Sequence, residues 1–104
     1  MGDRVTIQVE PGRGITTIFV KGELDLATMP VLTDLLAQVS REQPGQLVFD
    51  LAETYFMDCG AARLIATAGQ RLPGGRPPVI RRPGAGVRRI LELTGLDAYC
   101  EIEE

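Results

Sequence analysis

Asp58, Cys59 and Gly60 are the residues of this 104-residue chain whose types and spacing offer chemistry. They follow Phe56 and Met57 directly, and the apolar residues after them (Ala61, Leu64, Ile65, Ala68 and Leu72) fall at the i, i+3, i+4 spacing of one helical face. Asp58 is therefore placed to cap a helix, its carboxylate accepting a hydrogen bond from a backbone N–H of the first turn. A helix reached through small residues presents free N–H groups and a positive dipole end at the surface. Such a start can meet a partner loop or a small anion. It can also lower the pKa of the Cys59 thiol and make it oxidisable.

Catalysis is disfavoured. The chain has no histidine, so a Ser–His or Cys–His nucleophilic pair is impossible within it. Two cysteines, Cys59 and Cys100, do not make a metal site without histidine, and no cofactor motif is present. In a reducing compartment both read as free thiols. A disulfide between them is opposed by their positions: Cys59 follows the end of one strand and Cys100 lies near the start of another, which in a parallel sheet separates them beyond about 7 Å.

Other polar residues are weaker candidates. Asp25 and Thr28, in Glu23-Leu24-Asp25-Leu26-Ala27-Thr28, are both N-cap types ahead of Pro30. Asp50 invites comparison with a phosphoacceptor aspartate at a strand end, but the further acids needed to bind Mg²⁺ cannot be assembled from the sequence. Gly84-Ala85-Gly86 has the spacing of a minimal phosphate cradle and reads as a flexible loop. From Arg63 to Arg89 there are seven arginines and no acid. With no aromatic residue among them to stack bases, that stretch reads as a solvated basic face rather than a nucleic-acid surface.

These residues need elements to position them, and the elements are legible. Val5, Ile7 and Val9 alternate with polar residues as a half-buried strand, Pro11-Gly12-Arg13-Gly14 is turn chemistry, and Ile15 to Val20 completes an antiparallel hairpin ending at Lys21-Gly22. Leu32, Leu35, Leu36 and Val39 mark a helix stopped by Pro44-Gly45. Val48, Phe49 and Leu51 form a strand covered on both faces, followed by a tight connection and the helix after Asp58, which runs to Leu72-Pro73-Gly74-Gly75. Pro78 to Ile80 is a short strand, with its prolines at an edge or outside the ladder. Val87, Ile90, Leu91 and Leu93 give a third helix, stopped at Gly95 in the left-handed conformation with Leu96 folding back on Leu91, and Ala98 to Ile102 a last strand.

The order β-β-α-β-α-β-α-β predicts one α/β domain over residues 1–104, with a mixed sheet: an antiparallel hairpin, then parallel strands joined by right-handed crossovers. The 44% apolar composition suffices for one core at this length. No apolar run approaches the roughly 18 residues that span a bilayer, and Met1 to Glu10 lacks a signal-peptide core, so a cytoplasmic protein without membrane contact is expected.

Four segments in this order, GELDLAT, VFDL, FMDCGAARLI and LELTGLDAY, resemble the STAS domain family, and by pattern the anti-sigma-factor antagonists within it. The resemblance covers about nine-tenths of the chain. It implies binding to an anti-sigma factor of serine-kinase type, which frees a sigma factor for transcription. It places the partner surface at the Asp25–Thr28 loop and the Asp58–Arg63 helix start, and it implies a monomer or weak homodimer. In the family the strand–helix loop reads Asp-Ser-Ser-Gly, and phosphorylation of its second serine releases the partner. Aligned without gaps, Asp58 takes the aspartate position, Cys59 the first serine, Gly60 the phosphoacceptor and Ala61 the glycine. No hydroxyl stands there; the nearest are Thr54, Tyr55 and Thr67, the last about 10 Å along the helix. The expectation is a regulator that phosphorylation at Gly60 cannot switch off. It would be constitutively competent, or respond through thiol oxidation or another ligand. The competing expectation is a ligand-sensing or scaffold STAS domain holding a nucleotide or other anion at the helix N-terminus.

Overall fold

The alternation in Val5–Pro11 produces strand β1, which pairs antiparallel with β2 (Ile15–Leu24) from Val5 opposite Gly22 to Pro11 opposite Thr16. The computed structural model describes residues 4–104, so the first three residues of the expected leaderless N-terminus lie outside it. Strands β3 (Gln46–Met57), β4 (Val79–Arg81) and β5 (Glu101–Glu103) follow in parallel, giving the spatial order β1-β2-β3-β4-β5. The crossovers carry helices α1 (Met29–Arg41), α2 (Cys59–Ala66) and α3 (Ala85–Leu93). The expected element order and mixed α/β sheet are both present.

One core joins the helices to one face of the sheet. Ile18, Val20 and Leu24 of β2, Leu47, Phe49 and Leu51 of β3 and Ile80 of β4 pack with Leu32, Leu36 and Val39 of α1, Ile65 of α2, and Val87 and Leu91 of α3. Alternation sends Thr17, Phe19, Lys21, Val48 and Asp50 to the other face, which carries no helix among the described residues. Residues 46–51 of β3 are buried on both faces, as expected, though only one face packs against the helices. Val48 and Asp50 are buried, at 4% and 3% exposure, but they lie outside the helix-packed core.

Four boundaries also differ from expectation. Strand β2 runs past Lys21-Gly22 to Leu24, because Gly22 (φ +115°) lets the chain pass Arg4; a Cβ there would stand 2.1 Å from the Arg4 carbonyl oxygen. Strand β3 continues through Ala52–Met57, where a tight connection was expected, and two register shifts against β2 mark bulges near Leu51-Ala52 and at Tyr55. Helix α2 ends at Ala66, and a 3₁₀ turn over Ala68–Arg71 completes the segment. There the Thr67 hydroxyl donates to the Arg63 carbonyl at 2.7 Å, an alternative to helix continuation. Ala98 and Tyr99 lie in a 3₁₀ turn (Leu96–Tyr99), and β5 begins only at Glu101. The stop after α3 is as expected: Gly95 is left-handed (φ +74°), its N–H donating to the Glu92 carbonyl at 3.1 Å.

Candidate functional site

Asp58 caps α2 with Oδ1, which accepts from Ala61 N–H at 2.9 Å, while its own N–H donates to the Leu24 carbonyl at 3.0 Å. That second bond ties the start of α2 to the end of β2. The chain leaving β2 at Leu24 therefore turns beside Asp58, and the first residue of α1, Met29, lies over Gly60: a Cβ on Gly60 would meet the Met29 methyl at 3.2 Å. The two segments singled out in the sequence, 25–28 and 58–60, form one surface.

The 25–28 loop is closed by its own polar groups. Asp25 Oδ1 accepts from the amides of Ala27 and Thr28 at 3.0 and 3.1 Å. The Thr28 hydroxyl accepts from Asp25 N–H at 2.9 Å and donates to the Glu23 carbonyl at 2.8 Å. Thr28 thus occupies the N-cap position of α1 without capping it; it is buried and acts through the loop's shape. Burial works against the Asp25 charge, but the Thr28 amide and then the Arg4 guanidinium outweigh it and lower the carboxyl pKa.

On the surface around these residues Cys59, Gly60 and Arg63 are exposed. So are two large apolar side chains that sequence reasoning missed, Leu26 at the loop tip and Phe56 near the end of β3. Leu26 carries a weak sequence signal, an apolar residue between cap positions and outside the periodic stripe of α1. Phe56 carries none, because its outward turn depends on the bulges in β3.

The remaining candidates sit elsewhere. Cys100 precedes β5, at the end of the parallel strands opposite Cys59, and both cysteines are free. Burial, with Asp97 adding to it, pushes the Cys100 thiol up to about 11, so it stays protonated. Asp50 is not open for phosphorylation: Oδ2 accepts from Arg82 Nη2 at 2.5 Å and Oδ1 from Ala52 N–H at 3.1 Å. It lines a groove of about 570 Å³ on the helix-free face, with Gln8, Phe19, Lys21 and Arg82 among its walls. The arginine-rich stretch is partly neutralised from a distance in sequence. Arg81 pairs with Glu103 at 3.2 Å, Arg82 with Asp50, and Arg88 with Glu104.

Known proteins share this fold. The family model described as the STAS domain matches residues 6–104. This chain belongs to the STAS domain family. The anti-sigma-F factor antagonist RsfB of Mycobacterium tuberculosis is 26% identical over 95 residues, spanning 91% of this STAS domain and 78% of the relative. Among solved structures, an anti-sigma factor antagonist from Mycobacterium paratuberculosis superposes with a TM-score of 0.86 at 28% identity, covering 95% of this chain and 85% of that one. The phosphorylated form of the Bacillus cell-fate determinant SpoIIAA shares the fold, with a TM-score of 0.70 at 17% identity over 95% and 92% of the two chains. Its named relatives are thus regulatory antagonists, and no helix among the described residues is long and apolar enough to cross a membrane.

Proposed function

We propose that this STAS domain is an anti-sigma-factor antagonist. It binds an anti-sigma factor of serine-kinase type through the Asp25–Thr28 loop and the Asp58–Arg63 helix start, and so releases a sigma factor for transcription. The observation that carries this reading is the joining of those segments by the Asp58–Leu24 bond and the Met29–Gly60 contact, beside exposed Leu26, Phe56 and Cys59. The domain acts by binding; without histidine the chain offers no Ser–His or Cys–His pair.

Phosphorylation does not switch it at the helix start. A phosphate there would add about −1.5 to −2 charges and block docking by repulsion and desolvation, but Gly60 has no side-chain hydroxyl to receive one. The neighbouring threonine hydroxyls are poor substitutes. Thr54 is buried and donates to the Val20 carbonyl at 2.9 Å, and Thr67 is engaged with Arg63. The Asp58 carboxylate already occupies the anion position of α2, which disfavours the reading of a nucleotide or phosphate sensor.

The test is incubation with a kinase-type anti-sigma factor and ATP, followed by mass spectrometry and size-exclusion chromatography. The expected result is a stable complex and an unmodified antagonist. Stoichiometric phosphate between Asp58 and Thr67, or absence of any complex, overturns the proposal.

A further inference from the structure

The Asp25–Thr28 loop is held by a side chain from outside it. Arg4 stands just before β1 and beside the end of β2, where its carbonyl accepts from Glu23 N–H at 2.9 Å. Its Nε and Nη2 donate to Glu23 Oε2 at 3.1 and 2.9 Å, and Nη2 also grips the Asp25 carboxylate. The oxygen of Asp25 that Arg4 holds is Oδ2; the other, Oδ1, closes the loop on Ala27 and Thr28. One guanidinium therefore fixes the carboxylate on which the loop is folded.

Two consequences follow from the physical chemistry. Half-exposed ion pairs add little to global stability, so the effect of this cluster is local and conformational. The closed loop also turns Leu26 outward to 81% exposure, the highest among the large apolar side chains described. A rigid apolar side chain binds without the ordering cost that a mobile loop would carry, and buried anchors of this kind dominate interface energies.

We propose that Arg4 is a positioning residue of the partner surface: it locks the Asp25–Thr28 loop so that Leu26 stands ready to enter an apolar recess of the anti-sigma factor. This rests on the binding function proposed above.

Two measurements on the full chain test it. In the free protein, NMR reads amide exchange at Ala27 and Thr28 and the titration of Asp25. Arg4→Gln should speed exchange about tenfold by local opening and raise the Asp25 midpoint; Arg4→Lys should restore part of both, with the melting temperature lowered by no more than a few degrees at neutral pH. In calorimetry against the anti-sigma factor that wild type binds, Leu26→Ala and Arg4→Gln should each weaken binding roughly tenfold or more. Unchanged exchange and Asp25 titration in Arg4→Gln overturn the clamp, and unchanged affinity in Leu26→Ala overturns the anchor. If wild type binds no anti-sigma factor, the proposed function falls and the anchor with it, while the free-protein data still decide the clamp.

Discussion

At the scale of the residue, the proposed mode of regulation turns on Gly60. Space is not what keeps a serine out: the atom that an added Cβ would meet at 3.2 Å is the far end of the Met29 side chain, which can move aside. Gly60→Ser should therefore fold with a melting temperature within a few degrees of wild type, since surface substitutions typically change stability by about 0.5 kcal/mol or less. It should also acquire phosphate from a kinase-type partner and lose the complex on modification. Mass spectrometry with a binding assay checks both, and failure to be modified while still binding would show that the glycine is not the acceptor position. The two cysteines separate in the same way. Cys59 is exposed, whereas Cys100 is half-buried and its thiol is pushed up to about 11. Iodoacetamide at neutral pH should label Cys59 quickly and Cys100 only on unfolding. Equal rates would contradict the burial that protects Cys100.

At the scale of the element, the end of β2 is where the fold makes the candidate site. Gly22 brings the chain against Arg4 at a φ of +115°, allowing β2 to reach Leu24 and hand the chain to the loop beside Asp58. Gly22→Ala cannot be relieved by rotating a side chain, because the obstacle is the Arg4 backbone. It should cost more than about 1 kcal/mol in urea denaturation, through strain at positive φ and displacement of β1. A neutral outcome would mean that β1 can slide without loss. This junction was only half legible in the sequence. Asp58 was readable as a cap because capping depends on residue type and local spacing, and Asp58 Oδ1 does bond Ala61 N–H. The length of β2, the bulges of β3 and the outward turn of Phe56 depend on strand register, which local propensity does not encode.

At the scale of the whole molecule, acid should act partly through Asp25. Its folded pKa lies below the ordinary carboxylate value, so its contribution to stability is complete above the unfolded pKa of about 3.9 and disappears as the pH falls below that toward the folded value. Asp25→Asn should therefore narrow the stability difference between neutral and acid pH, measured by denaturant midpoints from pH 7 to pH 3. Parallel pH profiles for the two proteins would rule out that linkage. The helix-free face belongs to this scale too. Asp50 is buried there with Arg82 as its partner, and Arg82 takes a positive φ (+52°). The apolar reading of β3 treated its residues as core without distinguishing the faces, and it could not anticipate a buried acid satisfied by an arginine 32 residues later.

By itself the sequence determined the element order, the single α/β core, the N-cap at Asp58, the left-handed stop at Gly95 and the absence of a hydroxyl at Gly60. Each of these follows from residue type or short-range periodicity. Only the tertiary structure decided that all three helices share one face, that Arg4 reaches Asp25, and that Leu26 and Phe56 stand exposed. These depend on strand order and register, which arise from packing the whole chain and bring together residues that no local pattern relates.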